Sequence, residues 1–199
     1  MVLIAHELGG CPYNARVTNN PLAILLRAAA FAAHKHRDQR RKGVAATPYI
    51  NHPIAVANVL ANEAAITDEV ILAAALLHDT IEDTKTAHAE LVAEFGASIA
   101  SVVAEVTDDK SLSKAERKRL QIEHAAHISH AAKLVKLADK ICNVRDMVAA
   151  PPDWPIERKQ EYFAWAGRVV DQMRGTHDKL ETLFDAAVMQ GDRLQRDGS

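Results

Sequence analysis

The stretch Leu72-Ala73-Ala74-Ala75-Leu76-Leu77-His78-Asp79-Thr80-Ile81-Glu82-Asp83 runs from six apolar residues straight into a histidine and three carboxylates, with no turn residue between. The apolar half is that of a helix buried on all sides. At 3.6 residues per turn, Glu82 lies one turn beyond His78, and Asp83 one turn beyond Asp79. Placing such charges at the end of a buried helix is costly unless a cation or a partner compensates them. Two distant residues complete a ligand set: His52, in Asn51-His52-Pro53, and Asp139, in Leu137-Ala138-Asp139-Lys140. Two imidazoles and two carboxylates hold a divalent cation and leave coordination positions for water and phosphate, which points to catalysis. Alone, His52 or Asp139 reads as a helix cap or a solvated charge; the combination reads as a metal site.

Composition is consistent with helices converging on that site. The chain has 199 residues, 48% hydrophobic and only 5% aromatic, with abundant alanine and little Gly or Pro, so an all-α fold is expected. One domain over 21–192 accounts for it, with a loose extension at 1–20 and a tail at 193–199. A formal net charge of −2 argues against a general nucleic-acid binder. Cys11 and Cys142 are too few for a disulfide framework, which fits a reducing cytoplasm. The first residues lack the basic start and apolar core of a signal peptide, and no segment approaches the roughly 18 to 20 apolar residues of a membrane span, so neither export nor a membrane is expected.

Caps and breakers divide the chain. After Asn20-Pro21 a helix is expected over 22–36, followed by the charged loop from Arg37 through Arg40, Arg41 and Lys42 to Gly43. Asn51 is expected to cap a helix reaching about Ala65, and Thr67 or Asp68 the next, which carries His78 to Asp83. Gly96 separates helices over 87–95 and 97–107. Ser113-Lys114-Ala115-Glu116 is a capping box opening a helix to about His127. In 131–147, Leu134, Leu137, Ala138, Ile141 and Val144 form one stripe, and Asp139 and Asn143 share another face. Pro151-Pro152 precedes a helix to about Arg174, and Gly175 a last one ending near Gln190.

These residues resemble a known family. His52, His78-Asp79, Glu82-Asp83 and Asp139, within Thr47-Pro48-Tyr49-Ile50-Asn51-His52-Pro53 and Leu137-Ala138-Asp139-Lys140-Ile141-Cys142-Asn143-Val144-Arg145-Asp146, are similar to the hydrolase domain of the RelA/SpoT alarmone enzymes, above all the small stand-alone hydrolases of the metazoan SpoT homologue type. Glu105-Val106-Thr107-Asp108-Asp109-Lys110 and Glu161-Tyr162-Phe163-Ala164-Trp165 belong to the likeness, which covers about 22–190. The resemblance implies a helical HD-domain bundle around one Mn²⁺ held by His52, His78, Asp79 and Asp139, and hydrolysis of the 3′-pyrophosphate of ppGpp or pppGpp to GDP or GTP. Glu82 and Asp83 match the acidic pair that positions the attacking water and assists proton transfer. Arg41 and Lys42 match residues flanking the guanine, Lys114 and Arg158 residues near the remote phosphates, and Tyr49, Asn143 and Tyr162 residues lining the nucleotide pocket. The implied partner is a small nucleotide, bound by a monomer or homodimer, with no nucleic acid and no membrane. Removal of the 2′-phosphate of NADPH is the alternative on the same site. The chain length leaves no room for the synthetase and regulatory domains of long family members, so only degradation is expected. Gly43-Val44-Ala45-Ala46 puts small residues after Arg41-Lys42, which leaves base selectivity less fixed than the chemistry. His124, His127 and His130 drift around a helix without carboxylate company and are not taken as a second metal site, and His36 is expected to serve packing or support.

Overall fold

Why do the helices start where they do? In a computed structural model, which describes residues 20–41 and 46–197, side-chain caps mark several of the starts. Asn20 Oδ1 accepts from the Leu22 amide at 3.0 Å and opens α1 (Pro21–Lys35), with Pro21 in the first turn. Asp68 Oδ1 accepts from Val70 and Ile71 and opens α3 (Glu69–Leu77). Ser113 Oγ accepts from the Glu116 amide and Ser129 Oγ from the Ala132 amide, opening α7 (Lys114–Ala125) and α8 (His130–Ala149). Each such cap contributes about 1 kcal/mol.

Two expectations at helix starts and joins need correction. Asn51 does not cap α2 (Asn51–Asn58): the N-cap position is Ile50, already in helical conformation and without a side-chain bond. A tight turn through Pro48 and Tyr49 feeds the helix directly, Asn51 N donating to Pro48 O and His52 N to Tyr49 O. Nor is 69–83 one continuous helix. The chain leaves helical geometry at Asp79 (φ −95°, ψ −2°) and resumes as the single turn α4 (Thr80–Asp83), while Thr80 Oγ1 donates to Leu77 O at 2.7 Å across the break. The interruption lets His78 and Asp79 both face the same centre.

Gly96, at φ +86°, joins α5 (His88–Phe95) to α6 (Ala97–Val106), a conformation that glycine adopts at little cost. Helix α2 runs on through a π-helical turn, Val59–Glu63, with Ala64 as its C-cap and Ala65 at φ +56° beyond it, close to the end expected from the sequence. Helix α9 covers Ile156–Asp171, and α10, Asp178–Asp197, continues beyond its expected end near Gln190 into the segment read as a tail. No strand occurs among the described residues, only an isolated bridge between Arg40 and Pro48.

Helix α8 is the axis of the bundle, packing against α2, α3, α6, α9 and α10. Leu134, Leu137, Ala138, Ile141 and Val144, the stripe read from the sequence, are at most 1% exposed, and Ala73 to Ala75 and Leu77 of α3 are fully buried. Alanine lets the backbones of α1, α3 and α6 approach closely, so α3 delivers His78 and Asp79 to a point beside α8. No described helix is long and apolar enough to cross a membrane.

Candidate active site

Three parts of the fold, α2, the α3–α4 junction and α8, bring the expected metal ligands together. The ring nitrogens of His52 from α2 and His78 from the end of α3, with a carboxylate oxygen of Asp139 from α8, all lie within 4.8 Å of one another. Asp79, the fourth expected ligand, is not part of that group of three but lies beside it: its Oδ2 is 3.1 Å from His78 Nε2 and 3.8 Å from His52 Nε2. His52 and His78 are buried, whereas Asp79 and Asp139 keep partial access to a cleft.

The donor chemistry fits a divalent metal. His78 Nδ1 donates to the Ala75 carbonyl at 2.8 Å, which fixes the ring orientation and turns Nε2 toward the carboxylates. That Nε2 is buried and, despite its closeness to Asp79, lacks the geometry of a hydrogen bond. An unpaired buried nitrogen facing two carboxylates is what a cation satisfies. Burial opposes charge on Asp79 and Asp139, yet His78 and His52 hold the first below the usual carboxylate range, and Lys140, His52 and His78 hold the second well below it. Burial likewise opposes charge on His78, but Asp79 and Asp139 prevail and raise its pKa, so without metal a proton is attracted to the place a cation takes.

Two clefts flank this cluster. One, of about 460 Å³, is lined by Arg41, Tyr49, Asp83, Asn143, Met147 and Tyr162. The other, of about 580 Å³, is lined by Glu82, Lys114, Lys118, Trp154, Arg158 and Tyr162. Glu82 thus opens on one side and Asp83 on the other, with both bordering the His/Asp cluster.

The profile of the family described as HD domain matches residues 28–165. Guanosine-3′,5′-bis(diphosphate) 3′-pyrophosphohydrolase MESH1 of Homo sapiens is 59% identical over 160 residues, 80% of this chain and 89% of its own length. Its counterpart in Danio rerio is 56% identical over 167 residues, 81% of this chain and 93% of that protein. The chain belongs to the HD-domain family of metazoan SpoT homologues. A solved structure described as a metazoan orthologue of SpoT that hydrolyses ppGpp and plays a role in starvation responses matches this HD domain with a TM-score of 0.82 at 51% identity, covering 84% of this chain and 95% of the other.

Several residues of the HD domain expected to touch substrate also hold the ligand set in place. Tyr49 Oη donates to Asp79 Oδ2 at 2.6 Å. Burial and the charges of Asp79 and Asp83 push its phenol pKa far up, so it remains a donor. Asn143 Nδ2 donates to Asp139 Oδ1 at 2.6 Å and its Oδ1 accepts from Arg41 Nη2 at 2.9 Å, forming a relay from cleft to ligand. Arg41 also pairs with Asp146 at 2.5 Å and lies 5.6 Å from the Tyr49 ring centre. Lys42 lies outside the described residues, as do 43–45. Lys114 and Arg158 come together in the second cleft, where the Arg158 guanidinium stacks 4.1 Å from the Trp154 ring centre.

The acidic pair is held from the loop Asp108-Asp109-Lys110, within a stretch that carries the family likeness but to which the sequence assigned no role in the site. The Asp108 amide donates to Glu82 Oε2 at 3.1 Å, and Lys110 pairs with Asp83. Burial, with the charges of Asp108, Asp79 and Asp83, pushes Glu82 up to about 7 despite that amide bond. His36, 2% exposed, stacks on Tyr49 with ring centres 4.8 Å apart, which accords with a packing role. Cys142 is buried and its thiol is pushed up to about 12, so it is no nucleophile at neutral pH. Among the described residues His124, His127 and His130 join no metal-holding group.

Proposed function

We propose that this protein hydrolyses the 3′-pyrophosphate of ppGpp or pppGpp, releasing pyrophosphate and GDP or GTP, with Mn²⁺ on His52, His78, Asp79 and Asp139. The observation that carries this reading is the placing of the His/Asp cluster between a nucleoside-sized cleft and one that gathers Lys114, Arg117, Lys118 and Arg158, with a carboxylate opening on each. The activity of the human and zebrafish relatives, given in their names, accords with it.

A nucleoside in the first cleft has Arg41 and Tyr49 beside it, the guanidinium plane being suited to stacking on a purine. The phosphates extend past the cluster toward Lys114 and Arg158, which supply the positive charge a polyanion needs next to so many carboxylates. A divalent metal held by His52, His78, Asp79 and Asp139 would supply the acidification of a water and the offset of charge on the phosphoryl oxygens. Glu82, held by the Asp108 amide, accepts a proton of the water that attacks the 3′-linked phosphorus; the bond from that phosphorus to the 3′-oxygen breaks, the 3′-oxygen takes up a proton as GDP or GTP leaves, and Asp83, fixed by Lys110, borders the departing nucleotide. The protein meets this substrate in the cytoplasm, as monomer or homodimer.

Incubation of the purified protein with ppGpp and, separately, NADPH, with and without Mn²⁺, tests the reading by anion-exchange chromatography. Mn²⁺-dependent conversion of ppGpp to GDP is expected; 2′-dephosphorylation of NADPH with ppGpp left intact overturns it.

Arg158→Ala is expected to raise KM about ten- to a hundred-fold, with a smaller change in kcat, because a charge-assisted contact is worth roughly 1.5 to 3 kcal/mol. The effect shrinks as salt screens it. An unchanged KM at low salt removes Arg158 from the substrate site.

The pH profile follows from Glu82. As a base it works ionised, and burial sets its pKa at about 7, with bound metal pulling that value down. Thus kcat/KM falls as pH drops through the region below about 7, and Glu82→Gln removes that limb. A rate that rises from pH 7 to pH 6 shows that Glu82 works in its protonated form.

A further inference from the structure

Lys140 is almost fully enclosed, its side chain 6% exposed, with its ammonium 3.3 Å from Asp139 Oδ2. The two oxygens of Asp139 therefore have different neighbours. Oδ1 faces His52 Nε2 at 3.1 Å and accepts from Asn143 at 2.6 Å, while Oδ2 rests on the lysine.

The other side of the ammonium is fixed by Trp165, whose ring centre lies 4.7 Å away. Trp165 is itself 6% exposed, and its Nε1 donates to the Lys118 carbonyl at 3.0 Å, so one side chain ties α9 to α7 and abuts α8. Lys118 Nζ lies 4.9 Å from the same ring. An apolar residue would pack against Trp165 without the cost of burying an ammonium, so core filling alone is a poor reason for lysine here. Its placement on the oxygen turned away from the imidazoles gives a better one. A carboxylate ligand rotates unless its outer oxygen is held, and partners of metal ligands commonly contribute ten- to a hundred-fold in metal affinity.

We propose that Lys140, braced by Trp165, is a positioning residue that fixes Asp139 so that Oδ1 faces the metal. The inference rests on the assignment of His52, His78, Asp79 and Asp139 as the metal site. Two effects compete, since an ammonium near a cation also repels it; orientation prevails because the carboxylate stands between the two charges.

Mn²⁺ titration of the metal-stripped protein by isothermal calorimetry tests this, beside thermal unfolding in EDTA. Lys140→Met and Lys140→Gln are expected to weaken Mn²⁺ binding at least ten-fold while unfolding cooperatively, with Lys140→Arg within about three-fold of wild type and Trp165→Leu intermediate. A purely structural lysine would lower the unfolding temperature in EDTA and leave the dissociation constant unchanged. Unchanged or tighter Mn²⁺ binding in both Lys140→Met and Lys140→Gln overturns the proposal. Absence of Mn²⁺ binding by wild type instead overturns the metal site on which it rests. Should Lys140→Met not fold, Lys140→Gln and Trp165→Leu decide by the same criterion.

Discussion

Replacing Asp79 by alanine is expected to abolish Mn²⁺ binding and turnover together while leaving helical content nearly unchanged. Asp79 Oδ2, like Asp139 Oδ1, approaches both imidazoles, itself at 3.1 and 3.8 Å, and Tyr49 holds it there at 2.6 Å. Without it the site loses one of its two anionic donors, and a hard cation such as Mn²⁺ depends on carboxylate oxygen more than on imidazole. The helices survive because Asp79 sits at the break between α3 and α4 and its side chain caps neither. Metal analysis of wild type should give about one Mn²⁺ per chain, and the variant none, with circular dichroism as the control on folding. Near-native turnover in Asp79→Ala would show that the site is misassigned.

Glu82→Gln separates chemistry from metal binding. Glutamine keeps the shape and can still accept the Asp108 amide bond, but it cannot take a proton. Turnover should fall on the order of 10²-fold or more, about 2.7 kcal/mol of barrier, with metal content unchanged. Asp83→Asn should behave alike, with the added loss of its ion pair to Lys110. Parallel loss of metal and activity would identify these carboxylates as ligands.

The elements built by local chemistry were legible in the residues. Asn20, Asp68, Ser113 and Ser129 cap helices through atoms within three residues, and the stripe from Leu134 to Val144 meets the core because helical period alone decides which face it shares. Ser129 was not singled out, although its position before an apolar run carries the same signal. What escaped was set by contacts across the chain. The break at His78-Asp79 turns those side chains to a common centre, and periodicity in a window of alanine and leucine cannot show it. Asn51 has the composition of a cap, but the turn through Pro48 had already brought Ile50 into helical geometry.

The site divides in the same way. Residue type and order pointed to His52, His78, Asp79 and Asp139, and the fold brings them together. The hydrogen bonds of Tyr49 to Asp79 and of Asn143 to Asp139 span 30 and 4 positions, and only the second lies within reach of helical spacing. Lys110 and Lys140 lie within stretches that carry the family likeness, but neither they nor Trp154 were assigned a role: a loop lysine, a lysine beside an aspartate and a tryptophan after two prolines have ordinary surface readings until the bundle is assembled.

Hydrolysis of ppGpp in water enriched in ¹⁸O, with Mn²⁺ and mass spectrometry of the products, tests the reaction at its reacting atoms. Attack on the 3′-linked phosphorus predicts one ¹⁸O in pyrophosphate and none in GDP. Release of orthophosphate, label in the nucleoside, or no product with Mn²⁺ present would contradict the account.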